Sequence, residues 1–212
     1  MSQLQYIPTD TIKLSDKRRR LDETEIKMLR SAVGKLNWLA VISRPEISFI
    51  VSYTSSVLKT STVNDILEVN RIIKFVKNNR NFITIPKLYI NTVKIVSFSD
   101  ASYNNIGDGG SQGAHIVFLS ENQNKSTPLF WASNKIERIV KTSLGAETLA
   151  LVEGADTAYY LSKLLSEIII HRPIMKTIIR DCYTDSRSFC DNIPTNNPTS
   201  DRSGYVSNTP ID

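Results

Sequence analysis

VKIVSFSDAS, Val93–Ser102, is the stretch that decides the fold. In the longer run from Leu88, LYINTVKIVSFSDAS, Val93, Ile95 and Ser97 alternate with Lys94, Val96 and Phe98, the period of two expected of a β-strand. The strand runs out after Asp100 into YNNIGDGGSQG, Tyr103–Gly113, whose polar residues and glycines permit a tight reversal. Two short strands follow, AHIVFLSE (Ala114–Glu121) and PLFWASNKI (Pro128–Ile136), joined by the polar turn NQNKST. Three consecutive strands with short polar connections predict an antiparallel meander.

Downstream the period changes. In SLGAETLALVEGADTAYYLSKLLSEI, Ser143–Ile168, the residues Ala146, Leu149, Ala150, Ala155, Leu161, Leu164 and Leu165 mark the buried side of a long helix. After HRP, the run IMKTIIRDCYTD, Ile174–Asp185, reads as a fourth strand. A strand reached through a crossover helix lies parallel to the one it joins, inside the sheet beside the first strand. The predicted fold class is α/β: a mixed sheet of three antiparallel strands, a crossover helix and a parallel fourth strand.

That order brings three carboxylates to one sheet edge. Asp100 and Asp185 stand at the C-terminal ends of the first and fourth strands, and Glu147 stands near the start of the helix that covers them. A few carboxylates spread over a β/α core are what Mg²⁺ or Mn²⁺ requires, with the remaining positions left to water and phosphate. Two such ions would activate a water and stabilise a leaving oxygen, so the pattern points to a metal-dependent nuclease. Each acid also has an ordinary account. Asp100 suits a strand-ending turn, Glu147 a first-turn acid favoured by the helix dipole, and Asp185 a cap on a helix beginning near Ser186. Singly these accounts suffice; the strand order favours the common site.

The region before Leu88 is helical in pattern. DETEIKMLRSAVGKLNWLAVI opens with acids suited to a helix N-terminus and spaces Ile26, Leu29, Val33, Leu36 and Leu39 at helical intervals. SRPEISFIVSYTSSVLKT begins a second helix, with Pro45 in its first turn and Ile47, Ile50, Val51 and Val57 as apolar positions. TVNDILEVNRIIKFVKNN forms a third, with Ile66, Val69, Ile72, Ile73 and Val76 inward. The expected organisation is an extended or disordered basic N-terminus over 1–20, a helical segment over 21–87, an α/β domain over 88–200 and a divergent tail over 201–212.

Charge is divided along the chain. Residues 1–93 hold 15 Lys and Arg against 8 Asp and Glu, and residues 94–212 hold 11 against 13, which together give the net +5. A polyanion would be drawn chiefly to the first part, where DKRRR, Asp16–Arg20, is the densest cluster; a solvated turn is its ordinary account. The acidic second part needs metal ions to approach nucleic acid. No apolar run comes near the roughly 18–20 residues that span a bilayer, and MSQLQYIPTD lacks the signature of a secretory leader. An intracellular location, cytoplasmic or nuclear, is expected. Cys182 and Cys190 with His115 and His171 have no zinc-site spacing and read as free thiols and ordinary histidines.

Taken in order, KLNWLAVISRPEISFIVSYTSS, SFSDASYNNIGDGGSQGAHIVFL, FWASNKIERIVKTSLGAETLALVEGADTAYYLSKLL and YTDSRSF resemble the C-terminal part of copia-type retrotransposon Pol polyproteins, over residues from about 26 to 202. The resemblance implies that the SRP block belongs to the helical tail of a reverse transcriptase and that the later blocks form a ribonuclease H domain. It implies an RNase H-like fold, a two-metal site for Mg²⁺ or Mn²⁺, and hydrolysis of the RNA strand of RNA:DNA hybrids. Asp100, Glu147 and Asp185 match the family's first three catalytic and metal-binding carboxylates. The remainder of a reverse transcriptase is an implied partner.

The chain also departs from the family. A fourth acid is expected on a helix shortly after SDR, yet SDRSGYVSNTPID has no helical period, and Gly204 and Pro210 oppose one. Asp201 and Asp212 are the acids left to supply it, and neither sits in a matching block. No pair of adjacent aspartates of the polymerase type is present, so DNA synthesis is not expected. The competing reading is therefore an RNase H-like module without turnover, retained as a nucleic-acid-binding or inert fragment. Lys135, Arg138 and Lys141 are candidates for contact with the nucleic-acid backbone, with a solvated loop as the alternative. Ser99, Ser102, Asn104, Ser111 and Gln112 suit a phosphate or sugar contact or plain turn chemistry equally. Trp38 and Trp131 are expected as core anchors.

Overall fold

A computed structural model describes residues 4–9, 17–79, 83–89, 92–106, 109–122, 125–170, 178–187, 189 and 205–207. The chain divides into two compact units, Met1–Phe82 and Ile83–Asp212.

The first unit is built of α1 (Glu23–Ile42), α2 (Ser48–Ser56) and α3 (Val63–Asn78), with single 3₁₀ turns at Pro45–Ile47 and Leu58–Thr60. α1 starts where the sequence places it because Asp22 and Glu25 form a capping box: each side chain accepts the other's backbone N–H, at 2.8 and 2.9 Å. At α3 the Asp65 carboxylate accepts from both the backbone N–H and the hydroxyl of Thr62. Leu29, Val33 and Leu36 of α1 meet Ile66, Val69, Ile73 and Val76 of α3 in one buried cluster, as the helical spacing predicts. The same cluster contains Leu4 and Ile7, and the Asn70 amide bonds both the N–H and the carbonyl of Ile7, at 2.8 and 2.9 Å. Arg44, from the SRP block, is buried where helices end. Its guanidinium pairs with Glu46, reaches the Val76 carbonyl and lies over the Phe75 ring.

The second unit is the mixed sheet. Strands β1 (Lys94–Ser102), β2 (Ser111–Asn122) and β3 (Lys125–Ile136) form the antiparallel meander. After α4 (Ser143–Ile170), β4 (Arg180–Thr184) returns parallel to β1 in the register Ser97↔Cys182 and Ser99↔Thr184. This is the mixed sheet expected from the strand order, and it is consistent with the RNase H-like fold that the resemblance implies. Two features go beyond the expectation. Ser111 to Gly113 and Lys125 to Thr127, read as loop and turn, pair within β2 and β3. A fifth strand, β5 (Tyr205–Ser207), pairs antiparallel to β4 and gives the order β3-β2-β1-β4-β5. Tail residues without helical period thus supply an edge strand.

α4 crosses one face of this sheet on a ridge of small residues. Ala146, Ala150, Gly154, Ala158 and Ser162, spaced by four, are all buried, whereas Leu164 and Tyr160 are exposed. The apolar period had placed Leu164 inward and passed over Gly154 and Ser162, because hydrophobicity marks a ridge only where its residues are apolar. What the ridge provides is closeness. A Cβ on Gly154 would stand 3.0 Å from Ser97 Oγ and 3.2 Å from His115 Cβ, and one on Gly113 would stand 3.2 Å from Ala150 Cβ. The Ser97 hydroxyl donates to the Gly154 carbonyl at 3.2 Å, tying helix to strand at that point. On the opposite sheet face Phe98 stacks on Tyr183 and meets the Phe118 edge, with the Lys94–Asp181 ion pair beside them.

Gly154→Val should lower stability by about 1–3 kcal/mol, because overpacking against Ser97 and His115 outweighs the gain in helix propensity. Urea unfolding midpoints of the two proteins measure this. An unchanged midpoint would mean that α4 does not need the close approach.

Candidate metal centre

Three elements deliver the three carboxylates. Asp100 lies within β1, paired with Ala114 of β2 and two residues short of the strand end. Asp185 follows directly on Thr184, the last residue of the neighbouring parallel strand. Glu147 comes from the second turn of α4, next to the buried Ala146 that seats the helix. Ligand oxygens of the three all lie within 4.8 Å of one another.

None of the ordinary accounts of these acids holds. Asp100 is inside a strand rather than in a turn. The first turn of α4 contains no acid, and its N-terminus is capped by Thr142, whose hydroxyl accepts the Gly145 N–H at 3.1 Å. After β4 it is the Ser186 hydroxyl, not Asp185, that accepts the Phe189 N–H. Among the described residues none of the three acids is ion-paired with Lys or Arg.

The electrostatics follow from this crowding. Burial, and then the charges of Asp100 and Asp185, push the Glu147 carboxyl up to about 7, while a hydrogen bond from the Ala101 backbone pulls it back. Glu147 Oε2 is buried without a hydrogen-bond partner. An orphaned carboxylate oxygen facing two further carboxylates, with no cation among the described side chains, fits a bound metal ion. Metal–oxygen distances of about 2.0–2.6 Å allow two ligands of one ion to stand about 4–5 Å apart, which the cluster meets. The trio can therefore hold a metal, and a donor set made only of oxygens suits a hard one.

The chain is similar to the retrovirus-related Pol polyprotein from transposon RE1 of Arabidopsis thaliana. Identity is 26% over 162 residues, which cover 76% of this chain and 10% of that polyprotein. The chain thus spans about a tenth of the length of the relative it matches. No family model matches the chain. The similarity supports a retrotransposon Pol origin.

The other candidate residues distribute as follows. Arg138 and Lys141 are exposed on the segment joining β3 to α4, and Lys135 is half-buried on β3 opposite Gln112. The Tyr103 hydroxyl, just past β1, donates to the Lys141 carbonyl at 3.0 Å and ties that segment beside the carboxylates, a contact with no signal in the sequence. Ser99, Ser111 and Gln112 are buried and engaged: Ser99 with the Tyr183 carbonyl, Ser111 with the Asn104 N–H, Gln112 with the Ser133 hydroxyl. Gln112 Oε1 is buried without a hydrogen-bond partner. Ser102 and Asn104 are exposed, Asn104 in the left-handed region at φ 53°.

Cys182 is a buried free thiol whose pKa burial raises, and His115 is buried under α4, stacked on Phe130, its pKa lowered by burial. Asp16, His171, Cys190, Asp201 and Asp212 lie outside the described residues. Arg19 forms a two-bond ion pair with Glu25, so one member of the basic cluster serves the helical unit itself.

Trp131 is half-buried, but Trp38 is 65% exposed, contrary to its expected place in the core. It lies on the outer face of α1, where helical spacing groups it with Lys27, Arg30, Gly34 and Val41, all exposed. Gly34 faces open space, with nothing within 4 Å of where its Cβ would be. Apolar periodicity had marked only the inner face of this helix. Among the described residues no helix is long and apolar enough to cross a membrane.

The raised Glu147 pKa gives stability a pH dependence. Between about 4.5, the unperturbed value, and about 7 the folded state holds more protons than the unfolded state, so stability falls as pH rises through that window. Glu147→Gln should therefore stabilise the metal-free protein at pH 8, on the order of 1–2 kcal/mol after allowance for solvent screening, and have little effect at pH 4. Thermal melts in chelator at both pH values test this; equal effects at the two would show that Glu147 carries no such strain.

Proposed function

We propose that this chain is an RNase H-type nuclease domain of a copia-type retroelement Pol polyprotein, hydrolysing the RNA strand of RNA:DNA hybrids. The observation that carries the reading is the convergence of Asp100, Glu147 and Asp185 within 4.8 Å, each without a structural task of its own. Asp100, Glu147 and Asp185 would hold Mg²⁺ or Mn²⁺. When bound, a pair of such ions supplies an activated water and stabilises the leaving oxygen of the phosphodiester.

The chain's own residues set the conditions for that chemistry. Adjacent parallel strands fix the spacing of Asp100 and Asp185, and the small-residue ridge of α4 fixes Glu147 over them. Burial and the neighbouring carboxylates raise the Glu147 carboxyl in the metal-free cluster; a cation held there would offset them and favour the ionised form, in which Glu147 can orient water. Arg138 and Lys141, exposed on the segment between β3 and α4, and Lys135 on β3 would bind backbone phosphates. Choice of hybrid over DNA duplex would come from contacts to the 2′-hydroxyls of the RNA strand. The exposed α1 face around Gly34, with Lys27, Arg30 and Trp38, supports the same class of partner: basic and aromatic groups flank a backbone that a polynucleotide can approach closely. The remainder of a reverse transcriptase is the polypeptide partner this reading implies.

The purified chain, given a hybrid labelled on its RNA strand, should cleave it in Mg²⁺ or Mn²⁺ and not in chelator. Asp100→Asn, Glu147→Gln and Asp185→Asn should each lower the rate by at least about 100-fold while leaving the protein folded. A folded wild-type chain that leaves the hybrid intact with both metals would reject the nuclease and leave an RNase H-like module without turnover.

A further inference from the structure

We propose that Ile139 is a specificity-determining residue of this site: an apolar tip that seats in the minor groove of an RNA:DNA hybrid and favours it over duplex DNA. The inference rests on the nuclease reading and adds a residue and a means of selection to it.

Six residues, Glu137–Thr142, join the end of β3 at Ile136 to the start of α4 at Ser143. Ile139 lies near their middle and is 95% exposed, more than any other exposed large hydrophobic side chain in the described chain. A lone apolar residue on a surface is ordinary. This one differs in how the segment beneath it is held. Val140, the next residue, turns inward, within 3.6 Å of where a Gly145 Cβ would stand. The Lys141 carbonyl is fixed by the Tyr103 hydroxyl, and the Thr142 hydroxyl is fixed by the Gly145 N–H. These contacts hold the C-terminal side of Ile139, and on its other side β3 ends at Ile136, paired with Ser111, so that the side chain is presented outward from a short anchored segment.

That place belongs to the carboxylate centre. Tyr103 follows Asp100 by three residues, and Glu147 follows Thr142 by five on the helix that Thr142 caps, so the segment is tied to the elements that carry two of the three acids. Exposed Arg138 and Lys141 flank the tip. Cations on either side of an apolar point match a nucleic-acid groove, in which phosphates line both rims and sugars and base edges form the floor. An A-like helix has a wide, shallow minor groove that admits a β-branched side chain to that floor. The B-form minor groove is only about 6 Å wide and deep, so the same pinned tip would meet its rims. The shape of the groove is thereby read without a base-specific hydrogen bond.

The test is fluorescence anisotropy on the full chain in chelator, where binding is read without cleavage, using a labelled RNA:DNA hybrid and the DNA duplex of the same sequence. Ile139→Ala should weaken hybrid binding about 5- to 10-fold, leave DNA duplex binding and the melting temperature unchanged, and leave the slope of log affinity against log salt unchanged. Arg138→Ala, by contrast, should flatten that slope by about one. Ile139→Leu should retain most of the hybrid preference. Equal binding of the hybrid by wild type and Ile139→Ala, or an equal loss on both duplexes, would overturn the role of Ile139; if wild type still cleaves the hybrid, the nuclease reading stands. A wild-type chain that neither binds nor cleaves the hybrid would overturn both.

Discussion

The structure depends on how closely α4 lies against the sheet. Ala146, Ala150, Gly154, Ala158 and Ser162 form a ridge low enough for helix backbone to approach the Ser97, Ser99 and His115 positions of β1 and β2. Because successive residues of a helix differ by about 100° in direction, burying Ala146 determines where its neighbour Glu147 points. The parallel pairing of β1 with β4 does the same for the aspartates, since a slip of one residue would turn every side chain of β4 to the other face. Two packing choices therefore set the position of three charges.

The cost of that arrangement shows in the contrast with other acids of the chain. Glu25 is buried and held ionised by Arg19, Asp181 is buried under Lys94, and Asp65 is bound by Thr62. Each follows the rule that a buried carboxylate finds a donor or a counter-charge. Glu147 departs from that rule: its Oε2 is buried without a hydrogen-bond partner beside the exposed Asp100 and Asp185, and burial with their charges pushes its carboxyl up to about 7. A fold that pairs its acids elsewhere and leaves three of them to repel one another concentrates strain where a cation would relieve it. Packing holds the cluster together against its own charge, which is the condition for a preorganised site.

How much of this was legible beforehand depends on which physical signal a residue leaves in the sequence. Strand alternation and the handedness of the crossover were enough to place β4 beside β1, and so to bring Asp100 and Asp185 to one edge. Glu147 was legible by its nearness to a helix start, although only the structure removes its role as a first-turn acid. The ridge was half visible: Ala146 and Ala150 entered the apolar pattern, whereas Gly154 and Ser162 did not, since what qualifies them is small volume. Trp38 went the other way, because a large aromatic is expected in the core, whereas its helical spacing sets it among the exposed residues of α1. β5 was missed because three residues among turn-formers carry no period, and its pairing is supplied by the open edge of β4. Tyr103 reaches Lys141 across 38 residues, a contact that no local pattern encodes.

Under the nuclease reading, two divalent ions held by the three described carboxylates would leave one net positive charge, which matches the single negative charge of a phosphodiester, so that occupancy by metal and by substrate would reinforce each other. Under that reading the exposed Arg138 and Lys141, on the same unit as the carboxylates, would draw the phosphate that completes the site, so that attraction at a distance and metal binding at the centre would act together.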